Sequence, residues 1–138
     1  MLEQRIQQQF FESADLLSQT AEALAKPIAA ATQALLGCIT AGGKVMLCGS
    51  GASAALASHG ASLMIGRFER ERPGLAALAV GGATEVQALG APGDVLLTIS
   101  AGSPEPALVA AVVAAQAKDM TIVALTGVDA GSLLERLS

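Results

Sequence analysis

Two glycines and two serines fall within Gly49-Ser50-Gly51-Ala52-Ser53, directly after the apolar run Val45-Met46-Leu47-Cys48. Glycine lets the backbone turn tightly toward a ligand, and Ser50 and Ser53 can each donate a hydroxyl hydrogen bond to an anion. A strand that ends in such a turn and passes into a helix can cradle a phosphate, because the first helical N–H groups point at the ligand. The same residues also suit a plain strand-to-helix turn with Ser53 as its cap. A second serine-bearing loop, Ser100-Ala101-Gly102-Ser103, follows the run Val95 to Ile99 and leads into Pro104-Glu105-Pro106. The two prolines have no N–H to offer. Glu105 puts a negative charge in the first helical turn, which stabilises a helix start by about a few tenths of a kcal/mol but repels a phosphate. Ser103 is expected to cap that helix, and it can still reach a ligand.

Other chemistries find less support. Gly49, Gly51 and Ala54 match the spacing of a dinucleotide fingerprint, but that site needs an acid at the end of the second strand, where the chain reads Ala79-Val80-Gly81-Gly82. A Walker loop is excluded because no Gly-Lys-Ser/Thr occurs. His59 is the only histidine, and a single ligand does not hold a metal. Cys38 and Cys48 lack metal-type spacing and read as two buried thiols in a reducing compartment. Asp94 and Asp119 precede apolar runs, which places them at the sheet edge away from the loops. Glu69 and Glu71 read as solvated partners of Arg67, Arg70 and Arg72.

These residues need elements to position them, and the composition bounds what those are. The chain has 138 residues, of which 52% are hydrophobic, 14% charged and 2% aromatic. Such a chain buries a core and is not disordered. Its net charge of −4 and interleaved arginines and glutamates argue against direct nucleic-acid binding. The longest unbroken apolar run, Ala107 to Ala115, is far short of the roughly 18 residues that span a membrane. The N-terminus has no signal-peptide pattern, so the expected location is the cytoplasm. Leu2, Ile6, Phe10, Ala14, Leu17, Ala21 and Leu24 recur at helical spacing. Pro27 fits the first turn of a second helix that stops at Gly42-Gly43. Beyond it, the short apolar runs at Val45–Cys48, Leu75–Val80, Val95–Ile99 and Thr121–Thr126 read as strands. Helical stretches are expected from Ala54 to about Phe68, Pro104 to Lys118, and from Asp129 onward. That alternation predicts a parallel sheet between helical layers, an α/β three-layer αβα sandwich preceded by N-terminal helices. Residues 1–138 read as one domain: 1–43 helical, 44–138 the core. Ligands in such sheets bind beyond the carboxyl ends of the strands, which is where both serine loops fall.

The combined pattern is specific. Cys48-Gly49-Ser50-Gly51-Ala52-Ser53, Ser58-His59, Arg67-Phe68-Glu69-Arg70-Glu71-Arg72-Pro73, Gly93 through Ser100 and Asp119 through Gly127 together resemble the sugar isomerase (SIS) domain family. Within that family the sequence resembles the phosphoheptose isomerases, and more closely still their relatives that associate with the replication initiator DnaA. The resemblance implies a Rossmann-like αβα sandwich, a homotetramer built through the N-terminal helices, and a phosphorylated sugar in a cleft between subunits. It assigns phosphosugar contacts to Ser50, Gly51, Ser53, Ser100, Ser103 and Asp129. It matches His59 to a helix histidine that faces the isomerase active site and in some members ligates a metal.

The departures from the family pattern shape the functional expectation. Aldose–ketose isomerisation needs a base that shuttles a proton between adjacent carbons. The isomerases carry a glutamate one helical turn after the histidine, and here Leu63 stands there. A family segment between the second strand and Gln87-Ala88-Leu89-Gly90 is missing near residue 81. The family's last strand and C-terminal helix, which bear the isomerases' second catalytic histidine, have no counterpart among residues 1–138. The expected function is therefore a phosphosugar-binding, non-catalytic protein resembling the DnaA-associating relatives, needing no cofactor. The alternative is an active sedoheptulose 7-phosphate isomerase, for which zinc would be possible. A nucleotide-dependent enzyme on a similar frame ranks third.

Overall fold

The computed structural model describes residues 1–127 together with Gly131, Leu133 and Glu135. Contacts divide the chain into two units, residues 1–33 and 34–138, each described by itself below.

Helix α1 runs unbroken from Leu2 to Thr40, with Pro27 inside it. The sequence pattern predicts two helices parted at Pro27, and the structure corrects this. Proline removes one helical hydrogen bond and crowds the preceding turn, but its flanks, Ala21 to Lys26 and Ile28 to Gln33, are rich in alanine and other strong helix formers. Over residues 1–33 the large apolar side chains stand in solvent; Phe10 is 72% exposed and Phe11 68%. One 18-residue window of α1 averages a hydropathy of 1.3, so by length and composition this helix is apolar enough to cross a membrane. No unbroken apolar run of that length occurs in it.

In the second unit α1 ends where the glycines stop it. Gly42 takes the left-handed conformation at φ +87°, and the Gly43 N–H reaches the Cys38 carbonyl at 2.9 Å. The chain then alternates: β1 (Val45–Gly49), α2 (Ser53–Ile65), β2 (Ala77–Ala79), α3 (Ala83–Leu89), β3 (Val95–Ser100), α4 (Pro106–Ala117) and β4 (Thr121–Thr126). All four strands are parallel, in the order β2-β1-β3-β4. The central strands β1 and β3 follow their apolar runs closely because both are largely buried from the two sides. The short helix α3 was not anticipated. Its signal is weak: Val86 alone is buried, and Glu85 accepts the Gly81 N–H at 2.7 Å just before it. Gly131, Leu133 and Glu135 are helical, in the stretch where a last helix is expected.

Alternation along β1 divides the core between the two faces of the sheet. Val45 and Leu47 pack with Ala57 and Ala61 of α2 and with Cys38 at the end of α1. Met46 and Cys48 pack on the other face with Leu108, Ala111, Val112 and Ala115 of α4, Val86 of α3 and Leu133. The two free cysteines are therefore buried on opposite faces. At the amino edge of the sheet, the Asp94 carboxylate accepts the Lys44 N–H at 3.0 Å, the Lys44 Nζ at 2.6 Å and the Ala91 N–H at 2.9 Å. This clamp ties the starts of β1 and β3, and it puts Asp94 at the edge its sequence position predicts.

Candidate functional site

Because β2 lies on one side of β1 and β3 on the other, the chain reverses direction across the sheet between β1 and β3. A crevice opens at such a switch point beyond the carboxyl ends of the two strands. Gly49 pairs with Ile99 at that end, so the loops after β1 and β3 emerge side by side.

The first loop is tightly constrained. A Cβ on Gly49 would run into the Ser53 carbonyl, so no other residue fits at the strand end. Ser50 donates its N–H to the Ile99 carbonyl at 3.0 Å, and Gly51 follows in the left-handed region at φ +57°. The Ser53, Ala54 and Ala55 N–H groups bond back to Ser50, Gly51 and Ala52 carbonyls at 3.0, 3.1 and 3.2 Å. Among the described residues, the Gly51 and Ala52 N–H groups have no such partner, and both residues are exposed. Two backbone donors without a backbone partner beside the Ser50 hydroxyl, at the start of a 13-residue helix, are groups of the kind that can receive an anion, a candidate cradle. Ser53 is not the helix cap. Ala52 holds that position with no side-chain bond, and Ser53 lies inside α2, 5% exposed.

The second loop is joined to the first. The Glu105 N–H donates to Ser50 Oγ at 3.1 Å across 55 residues of sequence. Ser100, 3% exposed, donates its hydroxyl to the Gly102 carbonyl at 2.9 Å. Ser103 is exposed and does not cap α4 as expected. Glu105 takes the cap position, with the extended backbone (φ −72°, ψ 153°) that a residue before proline adopts, and Pro106 opens the helix. The Glu105 Oε1 lies 3.3 Å from where a Cβ on Gly51 would be. That proximity is invisible in the sequence, where the two residues are far apart. Its only signal there is the charge itself, in a loop where a phosphate would need none.

The structure thus brings Ser50, Gly51 and Glu105 into one place, with Ser53 at the root of α2 and Ser100 and Ser103 in the adjoining loop. Asp129 lies outside the described residues. His59 sits on the exposed side of α2, away from the buried stripe of Ser53, Ala57 and Ala61, and it has no hydrogen bond among the described residues. Leu63, one turn on, is half-buried and supplies no proton acceptor. Among the described residues no group of three or more His, Cys, Asp or Glu side chains stands together as a metal-holding cluster. The Thr98 Oγ1, fully buried on β3, has no hydrogen-bond partner among the described residues. The C-terminal turn of α2 is held by Arg72, whose guanidinium donates to the carbonyls of Leu63, Met64, Gly66 and Pro73 at 2.7 to 3.2 Å. Arg67 and Glu71 form an ion pair, as their spacing suggests.

Comparison with known proteins agrees with this geometry. The SIS domain family model matches residues 9–88. The chain is 55% identical to a phosphoheptose isomerase of Methylibium petroleiphilum, over all of this chain and 78% of that one. That alignment runs over 156 positions against 138 residues, so the relative carries residues with no counterpart here. The chain is 44% identical to the DnaA initiator-associating protein of Yersinia pestis, over 96% of this chain and 76% of the relative. Among solved structures, a phosphoheptose isomerase from Francisella tularensis superposes with a TM-score of 0.89 at 32% identity, over 98% of this chain and 81% of that chain. With strand order, switch-point loops and these relatives in agreement, the chain belongs to the SIS domain family, within its phosphoheptose isomerase branch.

Proposed function

We propose that this protein binds a phosphorylated sugar at the switch-point cradle and acts through binding, without isomerising the sugar. The observation that carries the reading is on α2, where His59 is followed one turn later by Leu63 rather than by a carboxylate. Moving a proton between C1 and C2 of a sugar needs a group that both accepts and returns it. Leu63 cannot do so. Asp94, a buried carboxylate, is committed to Lys44 at the opposite edge. A protein that keeps the cradle and lacks the base suits regulation, and by analogy with the DnaA initiator-associating relative the partner is the replication initiator. In this reading the protein is a cytoplasmic homotetramer assembled through α1 and needs no cofactor.

A second reading, isomerisation of sedoheptulose 7-phosphate to a heptose 7-phosphate, is favoured by the 55% identity to a protein named for that activity. It requires a base other than the residue one turn after His59, where Leu63 stands. An NMR time course of sedoheptulose 7-phosphate with the natural full-length protein separates the two. Line broadening without new sugar signals is the expected result. New heptose 7-phosphate signals would establish the isomerase reading instead, and neither change would remove the sugar from both.

A further inference from the structure

The cradle contains a charge of its own. Glu105 stands between Pro104 and Pro106, so its backbone has little freedom, and its N–H is fixed to Ser50 Oγ at 3.1 Å. From that anchor its carboxylate reaches the open side of Gly51, 3.3 Å from where a Cβ would stand. The carboxylate therefore stands beside Gly51 and Ser50, next to the loop whose Gly51 and Ala52 N–H groups have no backbone partner among the described residues. No lysine, arginine or histidine is ion-paired with Glu105 among the described residues, so its charge is not cancelled locally.

We propose that Glu105 is a specificity-determining residue of this site. Its negative charge, held beside Ser50 and Gly51, opposes the phosphate of a sugar that would enter there. The inference rests on the phosphosugar reading above and deepens it. A phosphate dianion entering the cradle must either lie against a like charge or displace a side chain held on a stiff backbone. The neutral hydroxyls of a sugar meet no such penalty and can donate to the carboxylate. The site is thus tuned toward weak capture of phosphorylated sugars, with the polyol contributing a larger share of recognition than the phosphate.

The test is calorimetric titration of sedoheptulose 7-phosphate and of unphosphorylated sedoheptulose into the natural protein and into Glu105→Gln. Glutamine keeps the shape and the backbone anchor and replaces the charged carboxylate by a neutral amide, and an unchanged circular dichroism melt verifies the fold. The expected result is about tenfold or greater tightening for the phosphorylated sugar, as for removal of a close like charge, with little change for sedoheptulose. Equal affinity of both proteins for the phosphosugar would overturn the role of Glu105 and leave the site assignment standing. Absence of phosphosugar binding by either protein would overturn the phosphosugar reading itself, and this inference with it.

Discussion

At the scale of single residues, three side chains have roles that the structure makes quantitative. Ser53 is at the root of the cradle and almost fully buried. Ser53→Ala is expected to weaken phosphosugar binding roughly threefold to tenfold, the loss of one neutral hydrogen bond, with a melting temperature within a few degrees of the parent. Thr98 presents the opposite case, a buried hydroxyl with nothing to bond among the described residues. Thr98→Val removes that desolvated group at nearly the same shape and should stabilise the protein by about 1 kcal/mol. A thermal melt would show this as a rise of about 3 to 5 °C; a fall would mean that the hydroxyl has an unseen partner. Asp94 gives a pH dependence. Burial pushes its carboxyl up, but the side-chain and backbone hydrogen bonds from Lys44 and the Ala91 N–H outweigh this and hold it below the usual range. A carboxylate whose folded pKa is depressed contributes stability that is complete above its unfolded value, about 3.9, and is lost as pH falls through the folded value. Denaturant midpoints should therefore drop on acidification below about pH 4, and Asp94→Asn should flatten that drop while lowering stability at pH 7. Of these features, the placement of the serines in the loops after β1 and β3 and the sheet-edge position of Asp94 are legible in the sequence, because they depend on neighbours close along the chain. The contact of Glu105 with Gly51 is not, because it exists only once β1 and β3 are paired.

At the scale of elements, the sequence pattern locates what is buried on two sides and loses what is held by one contact. Strands β1, β3 and β4 fall within a residue of their apolar runs. The bounds of α2 and α4 contract from the expected ones, since Gly66 closes the first and the Pro104-Glu105-Pro106 segment delays the second. Helix α3 escapes notice because one buried valine leaves no periodicity to read. The expected break at Pro27 is absent because neighbouring helix formers outweigh one missing hydrogen bond. The end of α2 depends on Arg72, since no basic residue lies in the helix's own last turn. Four carbonyls accept from that one guanidinium, a planar fork that lysine cannot copy. Arg72→Ala should cost about 1 to 3 kcal/mol, read as a lower denaturation midpoint, and Arg72→Lys should recover only part of it.

At the scale of the whole molecule, the αβα class was readable from the alternation of elements, while the phosphosugar reading still turns on a few loop residues. The exposed apolar side chains of residues 1–33 present more surface than an isolated helix keeps in water. The expected outcome is a mass above the monomer by light scattering at micromolar concentration, reduced by the pair Phe10→Ser and Phe11→Ser. An unchanged monomeric mass in both proteins would refute assembly through this helix. The placement of the two thiols has a practical consequence. Burial pushes both up, reinforced by Asp94 at Cys38 and by Glu85 at Cys48, so neither is a ready thiolate in the folded state. Since the sheet separates them, each becomes a reporter for the opening of its own face. Pulsed alkylation followed by peptide mass analysis would time the detachment of α4 from the detachment of α2, recording from two native atoms whether the layers part together or in turn.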